Sequence, residues 1–145
     1  MVFVLIKDVM NRNVIATKPE VSVREAAKIM TKYHIGSLII LEDEKIAGII
    51  TEGDIIRKVI VEGKDLDETK VRDIMTEKVI TITPDKTVED AVKLMMEKRI
   101  KKLPVVDNEK LIGIITASDI MVVEPKLIEA IASLISLKIP GYQGG

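Results

Sequence analysis

The sequence contains no cysteine and no tryptophan, a single histidine, and only three other aromatic side chains, Phe3, Tyr33 and Tyr142. Without cysteine there can be no disulfide, no thiolate nucleophile and no Cys-based zinc or iron–sulfur site. So few aromatic rings argue against single-strand binding by stacking, and a ligand base would have to be gripped mostly by aliphatic side chains. A lone histidine, His34, cannot by itself assemble a nucleophile, base and orienting group. There is no excess of one charge either: the formal net charge is −1, so no overall cationic field recruits nucleic acid, and any anion site must be local. The one apolar start, MVFVLI, is broken by Lys7 and Asp8, too short for a signal core or a membrane span. A cytoplasmic protein that does not engage a membrane is therefore expected. Walker A, G-x-G-x-x-G, G-x-S-x-G and H-E-x-x-H signatures are all missing.

What is present is an apolar fraction of 47% beside a charged fraction of 31%, the balance of a soluble globular chain. At 145 residues it suits one domain or two small units sharing a core. Its organising feature is an internal repeat. Displacing the chain by 65 residues aligns Ile6–Ile55 with Val71–Ile120 without a gap, and 19 of the 50 positions are identical. Asp8/Asp73, Met10/Met75, Pro19/Pro84, Met30/Met95, Gly48/Gly113, Thr51/Thr116 and Asp54/Asp119 are among them.

Each copy carries the same local signals. A short apolar run, Val14–Ala16 or Val79–Ile82, stops near a proline and predicts a strand followed by a turn. Ser22–Glu25 and Thr87–Asp90 have capping-box spacing at a helix start, and apolar residues then recur at helical spacing (Val23, Ala26, Ala27, Met30; Val88, Ala91, Val92, Met95). Two β-rich runs separated by a polar turn follow, Leu38–Leu41 and Lys45–Thr51, with counterparts Leu103–Val106 and Leu111–Thr116. A second helix begins at Thr51 or Thr116. The order is β-α-β-β-α twice, an α/β (α+β) chain. One copy is marginal in core size, which predicts that the two pack sheet to sheet with pseudo-twofold symmetry. The expected divisions are residues 1–66, 67–124 and 125–145, with the polar stretch Gly63–Lys70 as the connection. Pro125–Lys138 carries an apolar helical face of Leu127, Ile128, Ile131, Leu134 and Ile135, and predicts a C-terminal helix docked on the body or on another chain.

The stretches GIITEGD (Gly48–Asp54) and GIITASD (Gly113–Asp119) carry the chemistry. Their T-x-x-D spacing is that of a capping box, which would only satisfy the first helix amides. The same junction of strand and helix offers free amides and the positive end of the helix dipole to an anion or polar ligand. An ionised Asp accepts hydrogen bonds only and suits the vicinal diol of a ribose. Capping and ligation both remain open from the residues alone. His34 and its counterpart Arg99 fall where the first helix of each copy ends, where a basic group meets the negative end of the dipole.

The doubled element order, the D-[VI]-M lead-ins at Asp8–Met10 and Asp73–Met75, the RIKKLPVVD run at Arg99–Asp107 and the paired G-I-I-T-x-x-D resemble a tandem CBS-domain (Bateman) module over about residues 5–122. The resemblance implies a stand-alone, non-catalytic regulatory pair. Such a pair binds AMP, ADP or ATP in clefts between the copies, modulates a partner protein and forms a homodimer. It requires no cofactor or metal. S-adenosylmethionine is an alternative ligand, and a structural or interaction protein with empty clefts is the rival reading.

By position, the resemblance puts the ribose on Thr51 and Asp54 in one cleft, with Ile49 at the base, Val79 and Ile80 packing the adenine, and Lys101 and Lys102 on phosphate. The other cleft takes Thr116, Ser118 and Asp119 on the ribose and Ile114 on the base, completed by Val14, Ile15, Ile35, Gly36 and Ser37. Because Lys101-Lys102 corresponds to Gly36-Ser37 under the repeat, the two clefts are expected to be unequal in handling phosphate.

Overall fold

The computed structural model describes residues 3–127 and 129–132. The first copy runs β1 (Ala16–Thr17), α1 (Val23–Tyr33), β2 (Ser37–Glu42), β3 (Lys45–Thr51) and α2 (Glu52–Ile55). The second follows with α3 (Val71–Ile74), α4 (Val88–Lys98), β4 (Lys102–Asp107), β5 (Lys110–Thr116) and α5 (Ala117–Val123). Two compact units result. One is Ile15–Val79; the other joins the chain up to Val14 with the chain from Ile80 onward.

In the first unit, β1 pairs parallel with β2, and β2 pairs antiparallel with β3. The hairpin turns on Asp43 and Glu44, both at positive φ (53° and 66°), the two-residue geometry whose twist matches the flanking strands. Helix α1 lays Val23, Ala26 and Met30 on Leu38, Ile40 and Ile50 of the sheet, and Ile55, Val59, Val71 and Ile74 complete that core. Ser22 Oγ accepts the Glu25 amide at the start of α1. The connecting segment adds two more acceptors, since the Val23 and Arg24 amides donate to the carbonyls of Thr69 and Leu66. The polar connection thus satisfies helix amides that would otherwise lack partners.

The second unit repeats this plan with β4 and β5, turned at Asn108 and Glu109 (φ 50° and 67°), under α4. Val88, Ala91, Val92 and Met95 pack on Leu103, Val105 and Ile115. The strand expected over Val79–Ile82 narrows to one parallel bridge, Ile82 to Val105. The Ile82 amide donates to Pro104 and the Val106 amide to Ile82. Two residues back along that ladder the donor would be residue 104, and proline has no N–H to give. In the first copy Ile39 holds that place, and β1 survives as a strand.

His34 and Arg99 occupy left-handed positions (φ 54° and 56°) that end α1 and α4. The next amides, Ile35 and Ile100, reach back to the carbonyls of Met30 and Met95 and close the helices. Both basic side chains point to solvent. At the chain's other end, residues 129–132 are helical and Ile131 is fully buried, with Leu127 packed against the same core. The remaining face residues Ile128, Leu134 and Ile135 lie outside the described residues.

The lead-ins are exchanged. Ile6 and Met10, which precede the first copy in sequence, belong to the core of the second unit, and the Asn11–Ile114 bridge extends its sheet. Val71 and Ile74, the matching lead-in of the second copy, belong to the core of the first unit, where Thr76 bridges Ile49.

Candidate functional site

Gly48 and Gly113 sit in β3 and β5 where the exchanged lead-ins cross. A Cβ on Gly48 would come within 2.7 Å of the Met75 sulfur and 2.8 Å of the Thr76 carbonyl oxygen; one on Gly113 would lie 2.6 Å from the Met10 sulfur. Gly48 therefore admits a backbone carbonyl and a methionine at close range, which a residue with a Cβ would not allow without a shift, and Gly113 admits a methionine. Past each glycine the strand alternates. Ile50 and Ile115 are fully buried beneath the helices, while Ile49 and Ile114 are half-buried on the opposite face.

Each strand then runs directly into a helix through a complete capping box. Thr51 Oγ1 accepts the Asp54 amide at 3.1 Å, and Asp54 Oδ2 accepts the Thr51 amide at 3.0 Å. Thr116 and Asp119 reproduce both bonds at 3.1 Å. Thr87 and Asp90, at the start of α4, make the same box. Box geometry alone thus does not mark a ligand site, and the two boxes differ in what surrounds them.

Around the first box, Gly36 and Ser37 close the strand end: the Glu52 amide donates to the Gly36 carbonyl at 3.1 Å, and Ser37 pairs with Thr51. The Glu52 carboxylate lies over Gly36, with Oε1 3.4 Å from where its Cβ would be. Glu52, His34, Ile35 and Met30 help line a hollow of about 390 Å³. The Arg57 guanidinium covers Gly53 in the same way, 2.6 Å from its missing Cβ. Asp54 is 4% exposed, the one buried charged residue among those described, and its Oδ1 meets Lys58 Nζ at 3.1 Å.

The second box has different neighbours. Lys101 and Lys102 replace Gly36 and Ser37: the Ala117 amide donates to the Lys101 carbonyl at 2.9 Å, and Lys102 pairs with Thr116. Burial pushes the half-buried Lys102 ammonium below its ordinary pKa, and the adjacent Lys101 charge adds to the shift. An anion held here would relieve both effects. Ser118 is exposed at the second helical position, and Asp119 is half-buried. Ala117, Val122 and Val123 stand where the first copy has Glu52, Arg57 and Lys58.

Within a unit, then, the structure gathers Lys101, Lys102, Thr116, Ser118 and Asp119 at one strand end, and Gly36, Ser37, Thr51 and Asp54 at the other. Ile15, Ile35, Ile49 and Val79 belong to the unit of Thr51, and Val14, Ile80 and Ile114 to that of Thr116; all seven are half-buried. Arg57 and Lys58 were missed by the reading of the motifs. Their signal is spacing, four residues beyond Gly53 and Asp54 on one helical face.

No group of three metal-capable side chains occurs among the described residues, and no helix among them is long and apolar enough to cross a membrane. Two β-α-β-β-α units, each ending its hairpin in a hydroxyl–carboxylate box, define a tandem-repeat module. The CBS domain family model matches residues 6–61 and 71–125, and the chain belongs to the CBS-domain family as a tandem pair. It is 46% identical over 130 residues to an uncharacterised protein of Methanopyrus kandleri, covering 88% of this chain and 66% of that protein. It is 42% identical over 105 residues to the mitochondrial CBS domain-containing protein CBSX3 of Arabidopsis thaliana, covering 69% of this chain and 51% of that one. The chain thus spans between half and two thirds of the length of these relatives. The CBS domain pair of protein MJ0100, solved with 5′-methylthioadenosine and S-adenosyl-L-methionine, superposes with a TM-score of 0.73 at 33% identity, covering 86% of this chain and 98% of that one.

Proposed function

We propose that the chain is a cytoplasmic regulatory module that binds an adenosine nucleotide of the AMP, ADP or ATP class and passes its occupancy to a partner protein. The observation that carries this reading is the second box. Asp119 offers a carboxylate oxygen to the ribose diol, and the Thr116 and Ser118 hydroxyls stand beside it; Lys101 and Lys102, which the resemblance sets in the cleft of Thr51 and Asp54, share the strand end of this box and are assigned here to its phosphate. Aliphatic side chains such as Ile114 and Val14 grip the base in a chain so poor in aromatic rings. The relative bound to two adenosine compounds supports an adenosine-bearing ligand; the phosphate rests on the lysine pair. Exposed Ile56, Ile60 and Val61 beyond α2, and Val122 and Val123 on α5, offer aliphatic surface for pairing with a second copy.

A second reading rests on Glu52. Its carboxylate over Gly36 opposes phosphate and suits an uncharged or cationic adenosine compound such as S-adenosylmethionine on the side of the first box. A thermal-shift screen with AMP, ADP, ATP, adenosine and S-adenosylmethionine, followed by calorimetric titration of the hits, separates the readings. Ligand at a hundredfold over its Kd stabilises by about 2.7 kcal/mol. No shift with any of the five compounds would leave the rival, a structural protein without a ligand, in possession.

A further inference from the structure

We infer that this chain reads a ribose diol once, not twice, because Lys58 withdraws Asp54 from ligand recognition and makes it a structural cap. The inference rests on the nucleotide reading above and narrows it.

The two boxes are identical in sequence spacing and in their internal hydrogen bonds, so the difference lies in the second carboxylate oxygen. In the first unit, Oδ1 of Asp54 is held by Lys58 Nζ at 3.1 Å, and the same ammonium donates to the Ile74 carbonyl at 2.9 Å. That carbonyl belongs to the last residue of α3, where a cation also meets the negative end of the helix. Lys58 is therefore a clip with two anchors, tying the box to the exchanged lead-in. With Oδ2 given to the Thr51 amide and the side chain 6% exposed, Asp54 has both oxygens engaged and little surface for a diol to reach. A diol would have to displace a charge-assisted contact and leave Lys58 half-buried without its partner.

In the second unit Val123 holds the position of Lys58, and no partner for Asp119 Oδ1 is found among the described residues. The helical turn differs too. Beyond α2 the backbone widens to a π-helical turn over Ile56–Ile60, the turn that carries Lys58, whereas α5 runs regularly through Val123.

The test compares AMP with 2′,3′-dideoxyadenosine 5′-monophosphate by calorimetry on the full chain, its Asp54→Asn and Asp119→Asn variants and Lys58→Met, each first shown to be folded by circular dichroism. The wild type should show one binding event per chain that prefers AMP by about tenfold or more. Asp119→Asn should abolish that preference, and Asp54→Asn should keep it while lowering the melting temperature. Folded Lys58→Met should gain a second diol-dependent event, and Lys58→Arg should not. If Asp54→Asn abolishes the preference as Asp119→Asn does, or folded Lys58→Met binds as the wild type does, the inference is overturned while the nucleotide reading stands. If the wild type binds no adenosine nucleotide, both fall together.

Discussion

The sulfur of Met75 lies 2.7 Å from the point that a Cβ on Gly48 would occupy, so the glycine of the first G-I-I-T stretch exists to let the lead-in pass. The Met10–Gly113 pair repeats the relationship, but with an important difference. At Gly48 the Thr76 backbone carbonyl is also within 2.8 Å, while at Gly113 the nearest backbone atom, the Asn11 carbonyl oxygen, stands at 3.1 Å. A methionine side chain can swing away; a bridged carbonyl cannot. Gly48→Ala is expected to cost about 1–3 kcal/mol, and Gly113→Ala distinctly less. Urea denaturation of the two variants checks the ranking, and equal losses would contradict it.

Acid should loosen the second copy's lead-in, which docks on the first unit. The Arg72 guanidinium, then the Lys70 ammonium, hydrogen-bond to Glu20 and hold its carboxyl below the ordinary 4.5. A carboxylate with a depressed folded-state pKa contributes stability that is complete above its ordinary value and is lost as pH falls through the folded one. Both cations lie at or next to that lead-in, so Glu20→Gln should lower the melting temperature modestly at neutral pH, leave it nearly unchanged well below about pH 4.5, and so flatten the acid limb between them. All three groups face solvent, so added salt should diminish the effect.

The caps of the two long helices should differ in worth. Thr87 and Asp90 exchange both bonds at α4, and the Thr87 amide holds the Asp90 carboxyl below its ordinary value. Ser22 makes only one bond at α1, where the Thr69 and Leu66 carbonyls share the task. Thr87→Ala is expected to cost about 1 kcal/mol and Ser22→Ala less, measured by thermal unfolding at neutral pH.

Phosphate recognition should depend on the lysine pair alone. Lys101→Ala with Lys102→Ala is expected to weaken AMP binding by about tenfold and to leave adenosine binding little altered. The affinity of the wild type for AMP should fall with ionic strength more steeply than that of the double variant. Parallel losses for AMP and adenosine would move the phosphate elsewhere.

The sequence pattern revealed what is local. Helix starts at Ser22 and Thr87, hairpin turns at Asp43 and Asn108, and both T-x-x-D boxes are written in neighbouring residues, and each is present. The exchange of lead-ins was hidden, because a repeat says that Asp8–Met10 matches Asp73–Met75 but not which sheet either one covers. The strand over Val79–Ile82 was overcalled because its partner's missing amide, at Pro104, lies more than twenty residues away. Lys58 escaped notice for a similar reason. A Lys four residues after an Asp is ordinary on an exposed helix, and only the burial of Asp54 and the distant Ile74 carbonyl make it a clip. The inequality in phosphate handling is written in Lys101-Lys102 against Gly36-Ser37, whereas the ion pair on Asp54 emerges only in the fold.

The exchanged lead-ins also bear on how such a chain can be rearranged in a genome. A cut at the boundary between the two sequence copies strips Ile6 and Met10 from one core and Val71 and Ile74 from the other. Crossovers that respect the folded units would have to fall near Val14/Ile15 and Val79/Ile80 instead. The duplication therefore acts as a ratchet: once each copy lends its opening segment to the other, neither can be lost or traded as the tandem block that the repeat displays.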